Sequence, residues 1–380
     1  MRRRSASVET AGLGAFKPLA LGLGLACSAC LWGCGDVQIG WAVDKPQVRF
    51  SGVGALAGDT ASEALAVSGD GRVVVGASGG ADTSRQAFLW TQAEGLRALG
   101  ILAGGATSSA RAASYDGSVI VGQAGAPWSS SVAFQWTPAA GMQQLPALNG
   151  ASLCVASGVS GHGLVIVGTC LLAGNAGFRW TQASGIVSLG QFGGGTSRSS
   201  NAMAISADAS TIVGSGHPVL TGAVAWTTAG QVSVLGHLPQ DVAAVATAVS
   251  RDGTAIAGYS TDGQGRSQVF RWTPATGMAP LGVGQEGLSD VIAGGMSGDG
   301  EVVVGWAASS AGETAMIWTQ ATGWSRLEDI LQTRYRIELN GWTLQRATGI
   351  SDDGLTLVGQ GRNPQGRQEG WVLTLPGEGR

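Results

Sequence analysis

One repeated unit dominates the chain and constrains its fold more than any other feature. The first clear copy spans residues 64–100, with the skeleton A-x-A-x-S, a D-G turn, V-V-V-G, A-F-x-W-T and G-L-x-x-L-G. The tryptophan of A-F-x-W-T occurs at Trp90, Trp136, Trp180, Trp226, Trp272, Trp318 and Trp371. The glycine that ends V-V-V-G occurs at Gly76, Gly122, Gly168, Gly214, Gly258, Gly305 and Gly359. Both landmarks therefore indicate seven copies. A repeat whose equivalent residues recur at this spacing is typical of solenoids, propellers and arrays.

Each copy contains four short runs that are rich in β-branched residues or alternate in polarity. In the first copy they are residues 64–68, 73–77, 86–92 and 96–100, separated by glycine-containing turns. Four strands in a repeat of this length are typical of a propeller blade, and no helical periodicity competes with them. We therefore predict an all-β fold, a seven-bladed β-propeller of four-stranded blades.

The two ends of the chain suggest how the ring closes. The last copy ends at its third strand, residues 371–375, so its fourth strand is missing. Residues 48–54 resemble a fourth strand without the three that should precede it. We predict that this N-terminal strand completes the last blade, which would join both ends of the chain in one sheet and leave no loose edge blade. The predicted propeller spans residues 47–376, followed by a tail at 377–380.

The N-terminus has the pattern of an export signal. Residues 1–33 combine an arginine-rich start with an apolar segment at 19–29, too short to span a membrane comfortably. Residues 34–46 are expected to form a flexible spacer. We therefore expect a secreted protein at the outer surface or in the periplasm.

A cysteine at the end of this signal suggests a lipid anchor. The sequence L-W-G-C, which ends at Cys34, resembles a bacterial lipobox. We predict lipidation at Cys34, with Cys27 or Cys30 as alternative sites and an ordinary cleaved signal as the alternative interpretation. A lipid at this position would tether the protein to a membrane without a spanning segment.

Composition and motifs narrow the functional classes. Charged residues make up 12% of the chain and the net charge is -3, so the basic field that nucleic acids require is missing. The three histidines lie in different copies, and no motif for a nucleophile, a metal or a phosphate loop is found. We therefore predict no catalytic residues, cofactors, metal sites or nucleic-acid partner. An enzyme assembled from scattered loops remains the alternative.

The residues that recur most faithfully are better explained by packing than by binding. Phe88 and Trp90 share one face of a strand, as their equivalents do in most copies. A ring of sugar-stacking tryptophans is the alternative, but Val224 and Met316 replace the phenylalanine in two copies, which suits a packing site. Asp70 and its equivalents precede a glycine, which indicates turn chemistry rather than a calcium site with several ligands.

Ligand-binding candidates are sought where the copies differ. The insertion at residues 327–341 is expected to form a short helix that plugs the axial channel or covers one face, or else a long loop. Three tryptophans outside the repeated position are expected to be exposed. The candidate ligand-binding residues are Trp128, Trp306, Trp324, Arg334, Tyr335 and Arg336.

Two cysteines flank the first hairpin turn of the third copy. Cys154 and Cys170 are equally distant from His162 at the centre of that turn, so an antiparallel hairpin places them opposite each other. We predict a disulfide, which an exported protein can retain. The alternative is two small buried residues.

The combination of L-G-x-L-x-G-G-x-x-S-x-A, a D-G turn, V-V-G and A-F-x-W-T resembles the HAF-repeat family of bacterial extracellular proteins. The ending is also similar, with L-x-D-I-L, L-x-G-W-T-L and I-S-x-D-G. The resemblance implies export and a repeat domain without a known activity. We therefore expect an exported, monomeric scaffold or binding module for a protein or a glycan. A carbohydrate-binding propeller is the first alternative, and a loop-built hydrolase or lyase the second.

Overall fold

The computed structural model describes residues 48–80, 85–126, 130–190, 199–217, 222–282, 287–310 and 312–377. These residues form seven four-stranded antiparallel sheets. The sheets follow one another around a ring, and each packs against the next, including the first against the last. The predicted seven-bladed β-propeller is therefore confirmed. Within the described residues, no helix is long and apolar enough to cross a membrane.

The first three blades are β2 (Ala61–Val67), β3 (Val74–Gly79), β4 (Gln86–Thr91) and β5 (Gly95–Gly100); β6 (Thr107–Ala113), β7 (Ile120–Ala126), β8 (Ser130–Thr137) and β9 (Gly141–Gln144); and β10 (Leu153–Val159), β11 (Ile166–Leu171), β12 (Asn175–Thr181) and β13 (Gly185–Ser188). The fourth and fifth are β14 (Ser199–Ile205), β15 (Thr211–His217), β16 (Ala223–Thr227) and β17 (Val232–Gly236); and β18 (Asp241–Val249), β19 (Ile256–Asp262), β20 (Ser267–Thr273) and β21 (Gly277–Pro280). The sixth is β22 (Leu288–Met296), β23 (Val302–Ser309), β24 (Gly312–Thr319) and β25 (Gly323–Arg326), and the seventh contains β26 (Thr343–Ile350), β27 (Thr356–Arg362) and β28 (Gln368–Thr374).

The N-terminal strand closes the ring as predicted. The seventh sheet has the order β1-β28-β27-β26, in which β1 (Arg49–Gly52) is the outer strand. Phe50 lies opposite Leu373, and Gly52 lies opposite Trp371. Phe50 also packs against the core between the sixth and seventh blades. The first and last strands of the propeller therefore share one sheet.

The repeated glycine of the second strand is required by a bulge in the inner strand. In the first blade the register shifts between Ala64 and Ala66, directly opposite Gly76. A Cβ atom on Gly76 would lie 1.9 Å from the carbonyl oxygen of Glu63 and 2.9 Å from the ring of Phe88. The equivalent glycines in the other six blades are equally close to a backbone oxygen, at 1.8 to 2.0 Å. Only glycine fits between the bulged strand and the ring.

The strand register corrects the alignment of the last copy. Gly76 pairs with Phe88, whereas the equivalent Gly359 pairs with Trp371. Trp371 therefore occupies the phenylalanine position, and Leu373 occupies the tryptophan position. The count of seven copies stands, but treating Trp371 as the repeated tryptophan misplaced the last copy by two residues.

The repeated aspartates stabilise the first hairpin turn, as the sequence indicated. The hydroxyl of Ser68 donates to Asp70 Oδ1 at 2.6 Å and accepts from the backbone N–H of Val73 at 2.9 Å. Asp70 Oδ1 also accepts from the N–H of Arg72. In the third blade the ring of His162 takes the place of the carboxylate. Among the described residues, no group of three or more His, Cys, Asp or Glu side chains could hold a metal ion.

These turns predict a loss of stability in acid. Hydrogen bonds from Ser118 lower the pKa of Asp116, and the backbone N–H of Thr254 is the main cause of the lowered pKa of Asp252. The folded pKa values lie below the unfolded value of about 3.9, so this stabilisation is present above pH ~4 and lost as pH falls through the folded values. We expect the melting temperature of the double variant Asp116→Asn, Asp252→Asn to fall less than that of the wild type between pH ~5 and ~3. Identical falls would contradict this account of the turns.

The predicted disulfide is confirmed. Cys154 lies directly opposite Cys170 in the pairing of β10 with β11, and their sulfur atoms are bonded. Both cysteines are buried in a cluster with residues of the second blade. The covalent link therefore joins the two inner strands of the third blade.

The insertion forms a short helix but does not plug the channel. The helix α1 (Leu327–Thr333) buries Leu327 and Leu331 in the core between the sixth and seventh blades. It packs against β24 and β25, the two outer strands of its blade. The interpretation as an axial plug is therefore wrong, because the apolar face of the helix packs between two blades, beside their outer strands and away from the axis.

Candidate functional site: the axial cup

The first hairpin turns of all seven blades are joined in a ring at one end of the axis. Each turn donates a backbone hydrogen bond to the turn of the next blade and accepts one from the turn of the preceding blade, at 2.9 to 3.2 Å. The seven bonds run from Asp352 N to Gly69 O, Asp70 N to Tyr115 O, Tyr115 N to Gly161 O, Gly161 N to Ala207 O, Asp208 N to Arg251 O, Arg251 N to Gly298 O and Gly298 N to Asp352 O. We call this end of the propeller the turn face, and the opposite end the loop face.

Three side chains close the channel at the turn face. The guanidinium of Arg251 lies 4.7 Å from the ring centre of Tyr115, and its Nη1 atom lies 3.4 Å from Asp352 Oδ2. These residues belong to the fifth, second and seventh blades. The second and fifth blades are three steps apart, the largest separation in a ring of seven, so their contact crosses the axis. The axial channel is thus a cup with a floor.

The floor contains one close backbone contact and one partly buried carboxyl group. A Cβ atom on Gly69 would lie 2.5 Å from Tyr115 Cδ2, so the neighbouring blade needs a glycine beneath the tyrosine ring. Burial raises the pKa of Asp352, with Arg251 acting against the rise and Asp353 adding to it. The turn position of these side chains is glycine or alanine in four copies and large in three. The three large residues at a turn position that is otherwise small are the sequence signal that would have indicated the floor.

The wall of the cup is lined by the bulge residue of each inner strand. These residues are Leu65, Arg111, Ser157, Met203, Thr247, Gly294 and Thr348. Arg111 and Met203 are exposed although they lie on the innermost strands, so they face the lumen. The hydroxyl of Thr348, in contrast, donates to Ala64 O of the next blade at 2.8 Å. The most exposed side chains of the wall are thus one cation and one thioether.

Arg111 has few protein partners. Its Nη2 atom donates to Gln123 Oε1 at 3.4 Å, the outer limit for such a bond. Burial among the surrounding groups lowers its pKa, and the charge of Arg85 lowers it further. Arg111 is thus reachable by solvent and yet surrounded by protein atoms. Both properties are expected of a side chain that projects into a lumen lined by protein.

Polar pairs between neighbouring blades form the rim of the cup at the loop face. In three blades, the residue just before the repeated alanine of the inner strand bonds to the third strand of the preceding blade. The pairs are Glu63 with Gln368 at 3.1 Å, Asn201 with Asn175 at 2.8 Å, and Arg346 with Glu313 at 2.5 Å. Glu63 also forms an ion pair with Arg85. The rim thus offers carboxylate, amide and guanidinium groups.

Trp306 adds an indole to this rim. It lies on β23 and is half-buried, with the guanidinium of Arg346 at 5.0 Å from its ring centre. A Cβ atom on Gly294 would lie 3.3 Å from the indole, so the ring occupies the space left by the missing bulge side chain. The structure therefore places this candidate residue beside the lumen.

The structure does not bring the other candidates to the cup. Trp324 is only 6% exposed and packs against the core of the fifth and sixth blades, so the expectation that it is exposed is wrong. The reason is that it pairs with Trp318 in the sheet and points to the same buried face. Trp128 and Cys34 lie outside the described residues.

The three candidates in the insertion lie at the outer edge of the ring. Arg334, Tyr335 and Arg336 follow the end of α1, with the Arg334 guanidinium 5.4 Å from the Tyr335 ring centre. Arg336 lines a groove of about 610 Å³ together with Glu328 and Trp342. This groove lies beside the outer strands, whereas Trp306 lies beside an inner one.

Comparison with known proteins shows the fold. No family profile matches the sequence, and no curated protein matches it at a significant level. Among solved structures, an oligogalacturonate lyase from Vibrio parahaemolyticus aligns with a TM-score of 0.57 and 13% identity, covering 89% of this chain and 99% of the other. A manganese complex of oligogalacturonate lyase aligns with a TM-score of 0.54 and 11% identity, covering 87% and 97%.

A third similar structure is TolB from Acinetobacter baumannii, with a TM-score of 0.46 and 13% identity. The alignment covers 66% of this chain and 61% of the TolB chain. The two lyase likenesses, at 11 and 13% identity, show the fold alone.

Proposed function

We propose that this protein is an exported, non-catalytic binding module whose ligand enters the axial cup from the loop face. One observation carries the proposal: the channel is closed by Tyr115, Arg251 and Asp352 at one end, while polar side chains and Trp306 surround the other. A concave site with an aromatic surface and a few oriented polar groups is typical of ligand sites in proteins.

Among ligand classes, we propose a glycan rather than a protein. An indole beside carboxylate, amide and guanidinium groups can stack on a sugar ring and hydrogen-bond its hydroxyls. A protein partner would more readily use a broad convex face than a narrow cup. A similarity in fold to a lyase at 11 to 13% identity is no evidence of a shared activity. We therefore do not extend the proposal to hydrolysis or elimination.

The proposed location rests on the N-terminal sequence. The signal-like residues 1–33 support export, and Cys34 supports a lipid anchor at the outer surface or in the periplasm. Membership of the HAF-repeat family of extracellular proteins, which we propose from the repeat motifs, is consistent with export. Mass spectrometry of the mature N-terminus tests the anchor, since an unacylated Cys34 would contradict it.

A glycan array tests the proposed function. We expect discrete hits for the wild-type protein, and we expect Trp306→Ala to weaken them by roughly tenfold or more, the scale of a central binding tryptophan. Leu164→Ser is the matched control, because Leu164 is 66% exposed on the turn face, away from the cup. An array without hits, or hits that are equally strong in both variants and the wild type, would contradict the proposal.

A further inference from the structure

The charged groups of the cup are not balanced on the side formed by the first and second blades. Arg85 is paired with Glu63, whose second carboxylate oxygen accepts from Gln368. Arg111 approaches this pair from the next blade and has Gln123 as its hydrogen-bond partner, at 3.4 Å. Gln123 is neutral, so the guanidinium of Arg111 adds a positive charge that faces the lumen.

This excess charge contrasts with the part of the rim between the sixth and seventh blades. Arg346 and Glu313 form a bidentate pair through two nitrogen and two oxygen atoms, which neutralises both charges. Trp306 lies on that side, in the sixth blade, whereas Arg111 lies in the second, three steps away around the ring. A ligand in the lumen therefore lies between an indole and an unneutralised guanidinium.

From this arrangement we propose that Arg111 and Arg85 form a carboxylate subsite, and that the glycan bound in the cup carries uronic acid units. A guanidinium presents parallel N–H donors that match the two oxygens of a carboxylate, and a partly desolvated one gains more from that pairing than a solvated one. One unit of the glycan contacts Trp306, and the carboxylate of a uronic acid unit pairs with Arg111. This inference rests on the proposed function and specifies its ligand.

A pair of ligands that differ only at the carboxylate tests the inference. Titration calorimetry compares an α-1,4-linked galacturonate trimer with the galactose trimer of the same linkage. We expect the galacturonate trimer to bind roughly 10- to 100-fold more tightly, the usual scale of a hydrogen-bonded charged pair. Arg111→Gln is expected to remove this preference, Arg111→Lys to retain part of it, and raised salt to weaken only the acidic trimer.

Arg72→Gln is the control for overall charge. It removes the same positive charge from an exposed side chain on the turn face, and should leave the preference unchanged. Equal binding of both trimers, unaffected by Arg111→Gln, would overturn the carboxylate subsite while leaving a glycan-binding cup intact. Binding of sulfate without binding of the trimer would overturn the saccharide assignment. An absence of binding to every glycan would overturn both this inference and the proposed function.

Discussion

Removal of residues 48–54 is expected to lower the melting temperature of the propeller by roughly 4–9 °C. The deletion removes β1 and the side chains of Phe50 and Val53, which pack against the seventh blade and its neighbours. Burial of such side chains is worth about 1.5–3 kcal/mol each, or roughly 3–6 kcal/mol together. With an unfolding entropy of about 2.1 cal/mol/K per residue, this loss corresponds to the stated shift.

The deletion should also change the association state. Without β1, the outer edge of β28 loses its pairing partner, and an unpaired edge is a template for pairing between chains. Size-exclusion chromatography of the shortened chain should therefore show dimers or larger species. The matched control is a chain that begins at residue 48. An unchanged melting temperature and a monomeric profile for the chain that begins at residue 55 would contradict closure through β1.

Gly168→Ala is expected to destabilise the protein by on the order of 4 kcal/mol or to prevent folding. The added Cβ atom would lie 2.0 Å from the carbonyl oxygen of Val155 and 2.9 Å from both Ala156 Cα and the ring of Phe178. Two of these three neighbours are backbone atoms of the bulged strand. Because a bulge cannot move without breaking the register that positions the wall of the cup, the clash has little means of relief.

Gly263→Ala provides the control for the glycine prediction. A Cβ atom added to Gly263 would meet no neighbouring atom within 4 Å, and the residue lies in an exposed hairpin. Its substitution should therefore change stability by no more than about 0.5 kcal/mol. Chemical denaturation of both variants measures the difference. Similar denaturation midpoints for Gly168→Ala and Gly263→Ala would contradict the steric requirement for glycine in the second strand.

The architecture could be predicted because it depends on features that recur. Seven copies, four strands per copy, an extra strand at the N-terminal end and a missing one at the C-terminal end were sufficient to predict the ring and its closure. The cysteine pair was predictable for a similar reason, since hairpin geometry alone places Cys154 opposite Cys170. Local spacing determines each of these features.

The site could not be predicted because it depends on which residues converge on the axis. Tyr115, Arg251 and Asp352 are far apart in the sequence and look like variable turn residues until the ring of hydrogen bonds brings them together. Trp324 was misjudged because its position outside the repeated pattern says nothing about which face of β25 is buried. Trp371 was misaligned because matching letters cannot replace strand register.

Hydroxyl-radical footprinting with a bound ligand tests the axial cup most directly. Met203 and Trp306 face the lumen and are readily oxidised, whereas Trp342 lines the groove beside the insertion and serves as an internal reference. With the galacturonate trimer, or with the strongest hit of the glycan array, we predict slower oxidation of Met203 and Trp306 and no change at Trp342. Protection of Trp342 alone, with Met203 and Trp306 unchanged, would contradict a binding site in the cup.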